Sequence, residues 1–237
     1  MPVTTLPPTP PTPGPTPGPH AGPPEWAAWP AARFTPPDLV DLSTAWTRER
    51  DQATRPGAPH DDGPGVGCSG RHGRLLDDGL DVLLQPVLAP NAAPGYYPFA
   101  ELDARTAAGL LDRLDEEELA TERQNLGPTL GAVLRAVVRH PDRVRAQGYV
   151  VGPLRCDERI TVTAVLLRAD RALRIDRRHE DGCECTDVMA TLVALGVDDM
   201  HAPPDEITPW WGPGRPDPWS AVAEEADGDP WYRAWWD

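Results

Sequence analysis

The stretch PTLGAVLRAVVRHPDRVRAQGYVVGPLRCDERITVTAVLLR, residues 128–168, carries the clearest periodic signals in the chain. Leu130, Val133, Leu134, Val137 and Val138 recur at helical spacing, which predicts a helix over 128–139. Arg135 and Arg139 fall on its opposite side. Pro128 suits a first helical position, and Pro141 ends the helix because it lacks an N–H and clashes with the preceding turn. Beyond it, Tyr149–Val151 reads as a short strand stopped by Gly152-Pro153. Arg159–Arg168 then alternates Ile160, Val162, Ala164 and Leu166 with Thr161, Thr163, Val165 and Leu167. Both sets are apolar or β-branched, so this segment reads as a central strand.

On the N-terminal side, Asp103 is placed to cap a helix bearing Leu110, Leu111 and Leu114. Asp115 followed by Glu118 starts a second helix around Leu119, which Gly127 breaks. Leu80–Leu88 reads as an edge strand because it contains Pro86. On the C-terminal side, Leu173 and Ile175 suggest another short strand. Thr186 is placed to cap a helix with Val188, Met189, Leu192, Val193 and Leu195, closed by Gly196. These elements define an α+β class: one small domain over 75–209 with about three helices, a short antiparallel sheet and one further helix. Residues 38–74 read as a short helix, from Pro37 to Trp46, and a glycine-rich linker. Residues 1–37 hold 14 prolines and read as a disordered proline-rich arm. Residues 210–237 read as an acidic, tryptophan-rich tail.

The chain has 237 residues, and its 22 basic residues are all arginine. Without lysine, Schiff-base chemistry and a phosphate-loop lysine are excluded. The net charge is -15, but residues 128–178 alone carry +6. A basic centre in an acidic chain is the layout of an anion-binding face, and it nominates Arg135, Arg139, Arg143, Arg145 and Arg155 for nucleic-acid or anion binding. The order of three helices and a hairpin over 103–168 resembles a winged helix. That resemblance implies helix 128–139 in a major groove and the Gly152–Glu158 turn as the wing carrying Arg155. Residues 217–237 net -5 and contain Trp219, Trp231, Trp235 and Trp236, which are nominated as partner-binding indoles. Their charge and apolar surface lead us to expect the tail to dock on the arginine-rich centre.

His179, Cys183 and Cys185 lie within seven residues, and Cys68 with His72 forms a second pair. Thiolate and imidazole suit zinc, but one residue between cysteines is shorter than a knuckle, so no metal and no other cofactor is expected. Asp198, Asp199, His201, Asp205 and Glu206 read as a solvated acidic loop. Gly65, Gly67 and Gly70 match a dinucleotide fingerprint only formally, since no strand precedes them. The sequence has no apolar run of membrane length and no secretory leader pattern, which leads to the expectation of a cytoplasmic protein with reduced cysteines. No catalytic constellation emerges. The functional expectation is a non-enzymatic interaction or adaptor protein with a protein partner. The alternative is a nucleic-acid-binding regulator using the segment 103–168.

Overall fold

The computed structural model describes residues 40–56, 72–89, 92–210, 212 and 230–237. Among them are helices α1 (Leu42–Ala53), α2 (Arg74–Asp77) and α3 (Leu80–Leu84), strand β1 (Tyr96–Leu102), and helices α4 (Ala104–Leu111), α5 (Glu116–Thr121) and α6 (Leu130–Arg139). Strands β2 (Val144–Val151) and β3 (Arg159–Arg168), helix α7 (Cys185–Ala194), and strands β4 (Glu206–Trp210) and β5 (Trp231–Trp235) follow. The class is α+β, as the periodicities indicate. All strand pairs are antiparallel, in the order β1-β2-β3-β5-β4.

Local chemistry sets the helix starts. Asp103 accepts the Thr106 N–H at 2.8 Å and Asp115 the Glu118 N–H at 2.7 Å, each relieving one of the unpaired donors of a first turn. For α6 the cap is Thr129, whose hydroxyl accepts the Ala132 N–H, so Pro128 lies one place outside the helix. Leu130, Val133, Leu134 and Val137 are buried as the helical period requires, whereas Val138 emerges at the margin of that stripe. Gly131 lets α5 approach: a Cβ there would lie 2.6 Å from the Leu119 carbonyl oxygen.

β3 is central, flanked by β2 and β5. Side chains alternate across the pleat. Val144, Ala146, Val150, Ile160, Val162, Val165, Leu167, Tyr232, Ala234 and Ile207 belong to the main core with α6 and its neighbours. Arg145, Gln147, Ala164, Leu166, Arg233, Trp231, Trp235, Thr208 and Trp210 take the opposite face, as the register dictates.

Several expectations are corrected. Leu80–Leu88 is α3 followed by a 3-10 turn at Gln85–Val87. Leu80 and Leu84 are buried one helical turn apart, and Pro86 has no N–H to give a ladder. The short helix read at the start of 38–74 is α1, which runs on to Ala53 and buries Leu42 and Trp46 in the core; residues 57–71 of the glycine-rich stretch lie outside the described residues. Leu173 and Ile175 form no strand. The segment 210–237 does not end as a tail, and the folded unit does not stop at 209: Trp231–Trp235 inserts between β3 and β4 with a full register on both sides. Cys156 is disulfide-bonded, while Cys183 and Cys185 are free, so the expectation of four reduced thiols is also corrected. The proline-rich arm 1–37, Cys68 and Trp219 lie outside the described residues. Among the described residues, no helix is long and apolar enough to cross a membrane.

Candidate functional site

The face of the sheet turned away from the helices is ordered in cross-strand rows. Trp210, Trp231 and Arg168 form one row. Thr208, Arg233, Leu166 and Arg145 form the next, and Glu206, Trp235, Ala164 and Gln147 the third. Ala164 and Leu166 are buried but lie outside the main core, so the long side chains of this face shelter their own small apolar floor.

Trp210 Nε1 donates to Glu101 Oε1 at 3.1 Å. Glu101 lies in β1, at one edge of the sheet, and Trp210 sits on β4, at the far edge. Four strand spacings separate those edges, about 19 Å in a flat sheet, which is more than the two side chains span. The sheet therefore curls so that this face is concave. Glu101 stands in a left-handed conformation, φ 52°, at the register shift between Phe99 and Leu102. That irregularity turns its carboxylate onto the concave side, where Arg145 Nη1 also donates to it at 2.9 Å. The Arg145 guanidinium lies 5.0 Å from the Trp231 ring centre and the Arg233 guanidinium 5.3 Å from that of Trp235. Arg233 Nε donates to Gln147 Oε1 at 3.0 Å. Burial lowers the Arg233 pKa from its ordinary value, offset in part by Glu206. Farther along, Tyr96 and Tyr149 stack at 4.9 Å, and the Tyr149 hydroxyl donates to Gln124.

The nominated arginines do not form one basic face. Arg135 pairs with Glu116 on the exposed stripe of α6, and Arg139 Nε donates to the Arg135 carbonyl. Arg143 pairs with Asp170, and Arg155 pairs with Asp157 in the β2–β3 turn. Arg145 lies on the concave face, in the opposite layer from Arg135 and Arg139. The helix and hairpin order of a winged helix is present as α4, α5, α6, β2 and β3. Its turn, however, is tucked in: Gly152, Pro153, Cys156 and Glu158 are buried, and Glu158 accepts the N–H groups of Gly73 and Leu75 beside α2. Burial raises the Glu158 pKa, and those N–H donors and Arg74 offset only part of it.

Of the nominated indoles, Trp231 and Trp235 are half-buried on the concave face. Trp236 faces the core at 2 % exposure and is no docking residue, because the next position along the strand points the other way. Arg233 and Trp210 were not nominated. Their only sequence signal was strand alternation in a segment whose acids and prolines argued for a tail.

His179, Cys183 and Cys185 do converge. Their ligand atoms all lie within 4.8 Å of one another, and Cys183 Sγ stands 3.6 Å from His179 Nδ1. Burial pushes the Cys183 thiol up, but the Asp176 N–H, His179 and the N–H and S–H of Cys185 outweigh it and bring its pKa to about 7. Burial and the Cys183 sulfur push the Cys185 thiol up. Of the second pair, His72 Nδ1 lies 2.9 Å from the Pro153 carbonyl oxygen, and Cys68 is outside the described residues. In the acidic loop, Asp199 is engaged in structure, accepting both the N–H and the hydroxyl of Thr129.

The sequence matches no protein-family model, no curated protein and no solved structure.

Proposed function

We propose that this chain is a non-enzymatic interaction protein that captures a protein partner on the concave face of its sheet. The supporting observation is the set of half-buried indoles of Trp210, Trp231 and Trp235 with the Arg145 and Arg233 guanidinium groups laid over two of them. Tryptophan, tyrosine and arginine are the residues that dominate binding energy at protein interfaces. They combine large apolar area with a directional polar end. Glu101 and Gln147 hold the two guanidinium groups in place, so a partner would meet a preorganised surface and lose little side-chain entropy there.

The experiment is capture of partners from the native host with the full chain and with a Trp231→Ala/Trp235→Ala variant whose far-ultraviolet spectrum matches it. A partner held by the full chain and lost by the variant supports the reading. A partner set identical for both refutes it.

A second reading uses the same face. An aromatic sheet surface with arginines is the geometry on which single-stranded nucleic acid stacks its bases. It predicts quenching of tryptophan emission by an unstructured oligonucleotide, weakening steeply with salt. No quenching at low salt would remove it.

A further inference from the structure

We propose that His179, Cys183 and Cys185 form a surface zinc site with three protein ligands and one exchangeable position. This is independent of the reading of the concave face.

The donor set is two sulfurs and one imidazole nitrogen, the ligands zinc prefers over magnesium or calcium. Zinc–sulfur bonds of about 2.3 Å and zinc–nitrogen bonds of about 2.0–2.1 Å at a tetrahedral angle place S and N about 3.6 Å apart. The separation between Cys183 Sγ and His179 Nδ1 is 3.6 Å. All three ligand atoms fall within 4.8 Å of one another, so one ion reaches all three with little side-chain adjustment.

The backbone explains why a one-residue spacing succeeds. His179 and Gly182 both adopt left-handed conformations, φ 52° and 87°, and these double the loop back on itself. The His179 N–H donates to the Asp176 carbonyl and the Cys183 N–H to the Glu180 carbonyl, two successive tight turns. Cys183 belongs to the loop, whereas Cys185 is the first residue of α7. Along a strand two residues so spaced share a face but stand roughly 6.5–7 Å apart; the turn and the helix start bring these two sulfurs within 4.8 Å of each other.

The loop is also held in place before any ion arrives. Glu184 accepts the Arg174 N–H at 2.6 Å and pairs with Arg171 at 2.8 Å. The Tyr232 hydroxyl clasps both the N–H and the carbonyl of Leu173 at the loop's entrance. The Asp176 N–H donates to Cys183 Sγ at 3.4 Å, the outer contact that fixes a ligating sulfur. His179 is exposed and both cysteines are half-buried, so the fourth position faces solvent. Among the described residues no fourth His, Cys, Asp or Glu joins the group, and water or an external donor completes the tetrahedron.

The test titrates the full chain, with its Cys156 disulfide intact, with cobalt and then zinc under anaerobic conditions. Cobalt should bind at one ion per chain with thiolate charge-transfer absorption and the visible spectrum of a tetrahedral ion, and zinc should displace it. Cys183→Ser and Cys185→Ser should each weaken zinc binding by at least roughly a hundredfold, since each removes a ligand outright. His72→Ala, at the other cysteine–histidine pair, should leave it unchanged. Matching near-ultraviolet spectra will establish that the serine variants remain folded. Cobalt bound without thiolate absorption, affinity unchanged in Cys183→Ser, or loss tracking His72 would each overturn the site.

Discussion

Replacing Trp236 by alanine tests whether the last residues belong to the core or to a tail. Trp236 is 2 % exposed, its Nε1 donates to the Ala202 carbonyl at 3.0 Å, and its N–H donates to the Thr163 carbonyl at 2.9 Å. The indole packs closely on the turn before α6, where a Cβ built on Gly127 would lie 3.2 Å from its Cγ. Truncation to alanine removes most of a buried aromatic side chain, a loss of about 3–5 kcal/mol. It also leaves the Ala202 carbonyl without the indole donor, adding roughly 1 kcal/mol. A native stability of about 5–15 kcal/mol would be cut severely. Trp236→Phe keeps most of the apolar contact and should cost only about 1–2 kcal/mol, mainly the lost hydrogen bond. The assay is urea unfolding followed by far-ultraviolet circular dichroism, because with nine tryptophans emission would be altered by the substitution itself. At a slope of about 2–3 kcal/mol per molar, a combined loss of about 4–6 kcal/mol should shift the alanine variant's midpoint down by roughly 1.3–3 M. A loss below about 1 kcal/mol for alanine, or equal losses for alanine and phenylalanine, would show that the strand and its closing indole do not hold the fold.

Three further outcomes are expected. Leu134→Ala, at a fully buried position of α6, should cost about 2–5 kcal/mol by the same unfolding assay. Gly148→Ala should cost upward of roughly 3 kcal/mol, because its Cβ would lie 2.0 Å from the Thr161 carbonyl oxygen across the β2–β3 pair; a midpoint unchanged from the parent would contradict that register. Glu158 carries a raised pKa through burial, so its contribution to stability is complete below the ordinary carboxyl value of 4.5 and is lost as pH rises through the folded value. Glu158→Gln should therefore flatten the decline in unfolding midpoint above about pH 4.5, and an unaltered slope would refute the assignment.

Where local periodicity and the tertiary environment agreed, the fold was legible. The five-residue apolar stripe of α6, the caps at Asp103 and Asp115, and the two-sided apolar character of β3 all carry their own signal within a few residues. β1 was missed because Tyr96–Leu102 contains a proline and a register shift, which blur the alternation. Leu80–Leu88 misled because a short apolar run has no period long enough to separate strand from helix. The converging thiols could not be read from spacing alone, since two left-handed residues and a helix start lie within their seven positions. The arginine-rich centre was legible as composition. Its dispersal over two opposite layers was not, because charge counts carry no information about faces.

β5 shows why the concave face escaped detection while its residues were in plain view. Its odd positions, Trp231, Arg233 and Trp235, point to the concave side, and Tyr232 and Ala234 point to the core. The alternation is regular, but five residues after an acidic stretch bury too little to form a strand alone. Their ladder exists only because β3 offers a free edge at Ala164–Arg168. Bringing these segments together means closing a loop of more than sixty residues, yet that cost grows only logarithmically with length, and hydrogen bonds on both sides of β5 offset it. The same strand then supplies Tyr232, whose hydroxyl fixes Leu173 at the entrance to the thiol loop. The indole surface, the closing Trp236 and the anchor of the proposed zinc loop thus all depend on one late-arriving segment, so none of them is visible in any window of the sequence shorter than the distance from β3 to the C-terminus.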